Sequence, residues 1–215
     1  GFEMQRCDIL VVGGGVQGLW IARHASAAGA SVILAERDVC GAGASGGVLG
    51  ALMPHTPTGW NAKKQFQFDA LVELGAELRS VAEETGIDTG YLRCGRIVPV
   101  RREGFLAEAE RRIAASADVW RYADNAFPHA VEQAGRHDGW FAPQAGPFGV
   151  LYDGLSARLS PAATVAALRA AVSQTATIIE GWALAGYDPA TGIAWSDAGE
   201  RIAAGYARNL GTLPE

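Results

Sequence analysis

The stretch from Cys7 to Glu36 leaves few folds open. Cys7-Asp8-Ile9-Leu10-Val11-Val12 is a short aliphatic, β-branched run that stops abruptly at glycine, as a buried parallel strand does. Gly13-Gly14-Gly15-Val16-Gln17-Gly18 then spells G-x-G-x-x-G, and residues 16–28 carry Leu19, Ala22, Arg23 and Ser26 at helical spacing before a stop at Gly29. A second strand, Ser31-Val32-Ile33-Leu34-Ala35, ends at Glu36. Strand, glycine turn, helix, strand and acid all fall inside the roughly 30-residue span of one βαβ unit.

Each piece of that unit has a physical task if a dinucleotide lies across it. Gly13 permits the tight turn, Gly15 lets the backbone approach a pyrophosphate, and Gly18 lets the helix pack against the strand. The helix start at Val16 and Gln17 presents N–H groups and the positive end of the helix dipole to the phosphates. Glu36 stands where a carboxylate accepts hydrogen bonds from ribose hydroxyls.

Composition narrows the partners. The chain has 28 glycines among 215 residues, crowded into 13–18 and 41–50 rather than spread as in a linker, and clustered glycine lets backbone approach a ligand. With 49% hydrophobic residues and a net charge of -5, it is neither disordered nor basic, which argues against nucleic acid. Cys7, Cys40 and Cys94 form neither a disulfide framework nor a metal knuckle, so they read as reduced thiols of a cytoplasmic protein with no metal site. No apolar run reaches the roughly 18 residues of a membrane span. No hydrophobic signal core opens the chain, and Met4 reads as the natural start.

Val11 to Gly18, then Ala35-Glu36-Arg37, then Gly41-Ala42-Gly43-Ala44-Ser45-Gly46-Gly47 resemble the opening of the FAD-dependent D-amino-acid oxidase and glycine oxidase superfamily. The resemblance implies an α/β architecture, a Rossmann-like FAD-binding domain with an inserted α+β substrate domain. It makes Arg37, Gly43, Ala44, Ser45 and Gly46 contacts of the FAD pyrophosphate region, and brings the stretch containing Leu52, Met53 and His55 near the isoalloxazine ring. It also matches Gly95-Arg96-Ile97-Val98-Pro99 to a strand on the substrate side, where Arg96 would pair with a substrate carboxylate. His55 is the second residue expected to touch substrate or flavin.

The implied domains are 1–60 with about 156–215 for FAD, and about 61–155 for the substrate-domain portion. Within the latter, residues 63–85 read as a helix facing inward through Phe66, Ala70, Leu74, Leu78 and Val81, with Lys63 and Lys64 at a solvated start and Gly86 as its stop. Residues 91–100 read as a strand pair or a strand with a glycine bend. Residues 103–118 read as a second amphipathic helix with Glu108, Glu110, Arg111 and Arg112 on its wet face. Residues 119–155 read as an aromatic, loop-rich stretch. Ser160-Pro161 opens a further helix, followed by strands over 175–180, 182–187 and 193–195, while residues 202–206 read as a compressed remnant of the next family strand.

Function follows as an expectation of the resemblance: oxidation of a C–N bond in an amino acid or related amine, by hydride transfer to flavin. No catalytic triad or paired carboxylate is evident, and a flavin requires none. Family members run well beyond this length, so the C-terminal family segment is expected to be absent. That leaves open a non-catalytic or partial FAD-binding subunit completed by another chain, a homo-oligomer, and an NAD(P)-binding dehydrogenase. A nicotinamide enzyme would continue in regular strand–helix alternation, whereas residues 44–57 are broken by glycine and proline, which favours FAD.

Overall fold

A computed structural model describes residues 3–42, 50–137, 139, 140 and 142–210. Gly43, Ala44, Ser45 and Gly46 lie outside these described residues. The chain forms two compact units, one of Gly1–Val48, Ser80–Thr89 and Ser160–Glu215, the other of Leu49–Arg79 and Gly90–Leu159. Among the described residues no helix is long and apolar enough to cross a membrane.

The first unit opens with β1 (Gln5–Val12), α1 (Val16–Ala27) and β2 (Val32–Glu36). The second unit holds β3 (Gly50–Leu52), most of α2 (Ala62–Thr85), β4 (Arg96–Pro99), α3 (Phe105–Val119), β5 (Arg121–Tyr122), β6 (Asn125–Ala126), β7 (His129–Glu132), β8 (Val150–Asp153) and β9 (Ala157–Leu159). The chain returns to the first unit through α4 (Pro161–Val172), β10 (Thr177–Glu180), β11 (Leu184–Asp188), β12 (Ile193–Ser196) and β13 (Arg201–Asn209).

Six strands of the first unit form one sheet in the order β10-β2-β1-β13-β12-β11. Strands β10, β2, β1 and β13 run parallel, and β12 and β11 continue the sheet antiparallel. Side chains alternate across a strand, so β1 feeds two cores. Val11 joins Leu34, Leu19 and Ala22 with Val165, Leu168 and Val172 of α4 on one face. Leu10 and Val12 join Ile33, Ala35, Trp182, Ala194, Ile202 and Ala204 on the other. Each fully buried Leu or Val there contributes roughly 1.5–3 kcal/mol.

Residues 202–206 are not a remnant. They belong to the nine-residue β13, which pairs with β1 from Gln5↔Ile202 to Val12↔Asn209 and so lies inside the sheet. Alanine and glycine are weak strand formers, and central placement overrides that propensity. The small side chains also permit close packing, since a Cβ on Gly205 would stand 3.0 Å from the Asp8 carbonyl oxygen.

In the second unit, the stretch read as loop-rich contributes β7 and β8 to a three-stranded antiparallel sheet of order β4-β8-β7, and the hairpin β5-β6. These strands are only two to four residues long, too short for an alternating pattern to mark them in the sequence. Residues 91–100 supply only Arg96–Pro99 to the sheet, with Leu92 bridging separately to Arg158 and Gly95 bending between them at φ +73°. The inward face of α2 is also displaced from the expected one. Phe68, Leu71, Gly75, Leu78 and Val81 are buried, whereas Phe66 is 75% exposed and Ala70 is exposed. Gly75 belongs to that face because the Tyr91 ring lies against it, leaving a Cβ only 2.9 Å. Phe68, Leu71, Trp120 and Leu155 form the core of this unit, with Trp60, Val72, Tyr122 and Phe127 packed around them.

Candidate functional site

The glycine turn sits at the carboxyl end of β1, where α1 begins. Gly13 has φ +119°, a conformation that side-chain-bearing residues rarely adopt, and its N–H donates to the Ala35 carbonyl at 2.9 Å. Gly18 lies against that turn so closely that a Cβ would stand 1.9 Å from the Gly13 oxygen. Gly15 is different: it is the N-cap of α1, its φ is an ordinary -81°, and among the described residues it has no side-chain cap and a Cβ would find nothing within 4 Å. The N–H groups of this first helical turn, including those of Val16 and Gln17, receive no side-chain cap from Gly15 and stand at the positive end of the helix dipole. A helix start of this kind suits an anionic diphosphate in charge.

Glu36 is brought to the same turn. Its Oε1 accepts the Gly14 N–H at 3.2 Å and its Oε2 accepts the Asp38 N–H at 2.5 Å. A carboxylate has about four acceptor positions, so these two bonds orient it and leave capacity for ribose hydroxyls. Arg37 is exposed beside it. Residues that the sequence did not single out adjoin this turn: Cys40, whose N–H donates to Glu180 Oε2 at 2.8 Å, and Arg169, which pairs with Glu180. A second acid ending a strand at Glu180 was a readable signal; that β10 lies beside β2 was not.

The second unit places His55 and Arg96 together around a cavity of about 50 Å³ lined also by Arg112, Trp120, His129 and Asp153. Arg96 Nη1 donates to Met53 Sδ, and Arg96 Nε lies 3.7 Å from Asp153 Oδ2. Lys64, expected to be solvated, instead donates from Nζ to the Thr56 and Thr58 carbonyls at 2.9 and 2.7 Å and so holds the loop that carries His55. Leu52 belongs to β3, paired with Ala157 of β9.

Register explains the rest of the cavity. Arg96 and His129 both pair with Asp153, forming one cross-strand row on β4, β8 and β7. Asp153 is 5% exposed and its Oδ1 accepts the N–H groups of Leu155 and Ser156 at 3.2 and 2.7 Å. His129 stacks on Trp120 with ring centroids 4.6 Å apart, and its Nδ1 lies 2.8 Å from Ser116 Oγ. Ser116 Oγ also stands 2.8 Å from the Ile113 carbonyl, so one hydroxyl joins the helix backbone to the His129 ring. Burial holds the His129 pKa below its usual value, favouring the neutral ring; the charges of Arg96 and Arg112 act in the same direction and Asp153 opposes them. Among the described residues Trp120 Nε1 is buried without a hydrogen-bond partner, an unmet donor in a residue that lines the cavity. Arg112, assigned to the wet face of its helix, is thus a lining residue, as are His129, Asp153 and Trp120; all four entered through sheet register and helix packing.

The model for the family described as DAO, FAD dependent oxidoreductase, matches residues 8–208. Among solved structures, the chain resembles glycine oxidase from Geobacillus kaustophilus with a TM-score of 0.78 and 20% identity, covering 97% of this chain and 56% of that one. L-amino acid deaminase from Proteus myxofaciens gives a TM-score of 0.79 at 20% identity, covering 99% and 47% respectively. L-proline dehydrogenase from P. horikoshii gives 0.76 at 16% identity, covering 98% and 54%. The chain thus spans about half the length of these proteins. No match was found among curated protein sequences.

Proposed function

The chain belongs to the DAO family of FAD dependent oxidoreductases, and from that premise we propose that it takes part in oxidising the C–N bond of an amino acid or related amine. The family's cofactor being FAD, the nicotinamide alternative is set aside. The single observation that carries the reading in this chain is the Gly15 helix start, open and uncapped among the described residues, beside a Glu36 carboxylate already oriented by the Gly14 N–H.

In this reading the first unit is the Rossmann-like FAD-binding domain. Gly13 and Gly18 set the turn, Gly15, Val16 and Gln17 hold the pyrophosphate through backbone N–H groups, and Glu36 holds the ribose, with Arg37, Gly43, Ala44, Ser45 and Gly46 as further contacts. Leu52 and Met53 belong to the flavin side. Bound FAD supplies the acceptor for the hydride that leaves the carbon bearing nitrogen. The second unit supplies substrate recognition: the Arg96 guanidinium has the geometry to bind a carboxylate, and His55 lines the same cavity. The free thiols of Cys7, Cys40 and Cys94 support a reducing, cytoplasmic setting.

An absorbance spectrum tests this. Protein purified with added FAD should keep flavin bands through gel filtration, and those bands should bleach when an amino-acid panel is added without oxygen. Folded protein that stays colourless and takes up no FAD refutes the reading. Arg96→Met should retain FAD while raising the substrate concentration needed for bleaching; unchanged substrate dependence removes Arg96 from the site.

A further inference from the structure

Two acids, not one, end at the nucleotide turn. β10 pairs parallel with β2 so that Glu180 stands beside Glu36, on strands about 4.8 Å apart. Paired positions in a sheet point their side chains to the same face, so two carboxylates share this edge, and a diphosphate would bring more negative charge. Arg169, in the last turn of α4, resolves the conflict by pairing with Glu180 Oε1. Glu180 Oε2 then accepts the Cys40 N–H at 2.8 Å.

That bond belongs to a short chain of contacts leading to the cofactor turn. The next residue, Gly41, donates its N–H to the Gly14 carbonyl at 3.0 Å. Gly181 donates to the Asp38 carbonyl at 3.0 Å and Trp182 to the Glu36 carbonyl at 2.9 Å. Cys40 Sγ lies against Gly14, where an added Cβ would be 2.8 Å away. A displacement of Cys40 is therefore passed through Gly41 and Sγ to Gly14, the residue whose N–H orients Glu36.

We propose that Glu180, held by Arg169, is a positioning residue for the nucleotide end of the FAD cradle, a role that rests on the FAD reading above. Glu180 organises the 38–41 loop from beneath, which leaves Glu36 for the ribose. The Arg169 guanidinium and the Cys40 N–H hold the Glu180 carboxyl below its usual pKa, so it stays charged at neutral pH. Burial, and next the nearby Glu180 charge, push the Cys40 thiol up, so the thiol stays neutral beside the turn.

The test measures binding of ADP, which carries the adenosine and diphosphate but no flavin, by calorimetry on the wild type and four variants, alongside apo-protein Tm. E180A should weaken ADP about tenfold, because the loop loses its acceptor. E180Q should weaken it only about threefold, because the amide oxygen still accepts from Cys40. R169M should weaken it more than E180Q by leaving Glu180 uncompensated, and the double variant R169M/E180Q should return to the E180Q level, since a neutral side chain needs no counter-charge. That rescue is what a merely structural role would not produce. E180Q and R169M keep the test intact if E180A fails to fold. Variants that lose Tm yet match the wild type for ADP, or a double variant no better than R169M, overturn the proposal. A wild type that takes neither ADP nor FAD overturns the FAD reading and this role with it.

Discussion

Gly15 and Gly18 lie three residues apart in one motif, yet alanine at each should fail in opposite ways. At Gly18 the new Cβ would stand 1.9 Å from the Gly13 carbonyl oxygen, against the 3.0 Å below which real Cβ atoms essentially never come, a shortfall of 1.1 Å. The obstacle is backbone in a turn already fixed by the bond from Gly13 N–H to Ala35, so no rotamer change relieves it. Overpacking against such a site costs roughly 3 kcal/mol. In a chain of this size that lowers Tm by roughly 6–12 °C. At Gly15 the Cβ meets nothing within 4 Å among the described residues and φ is -81°, so Gly15→Ala should cost at most about 1 kcal/mol through loss of a better N-cap. The same methyl fills the space proposed for the pyrophosphate, and should weaken FAD by at least about tenfold, or 1.4 kcal/mol. Urea unfolding of the apo proteins, paired with fluorescence titration of FAD, separates the two effects. Wild-type FAD affinity in Gly15→Ala, or wild-type stability in Gly18→Ala, would refute this account of the turn.

Three further outcomes are expected. Ser160 caps α4 by accepting the Ala163 N–H at 3.2 Å with Pro161 in the first turn, so Ser160→Ala should cost about 1 kcal/mol in urea unfolding; no change would mean that the cap is idle. Gly95 combines φ +73° with a Cβ position 2.6 Å from the Asp153 carbonyl oxygen, so Gly95→Ala should destabilise the second unit by roughly 2 kcal/mol, read from the loss of tryptophan fluorescence in urea. His129 has its folded pKa below the unfolded value of 6.5, so the unfolded chain binds the proton more readily. Stability should be fully present above about pH 6.5 and fall as pH drops through the folded pKa. His129→Gln should lose that step in unfolding curves taken from pH 7.5 downward, and a step of equal size in the variant would assign it elsewhere.

The strand, glycine turn and helix that open the chain were legible in the sequence because they are local. A strand run, glycines at fixed offsets, a helix start and an acid about 20 residues on are each dictated by backbone geometry within one βαβ unit, and neighbours in sequence are there neighbours in space. Helix ends were legible for the same reason, as at Ser160 and at Gly86, whose φ is +72°. Long-range pairing was not. The sheet order that sets β13 beside β1 and β10 beside β2 decided that residues 202–206 are interior strand and that Glu180 reaches the turn. In the second unit, the cross-strand row Arg96, Asp153 and His129 gathers residues separated by up to 57 positions, counted from Arg96 to Asp153. Register is fixed by which faces are buried together, a property of the packed unit that no window of sequence contains.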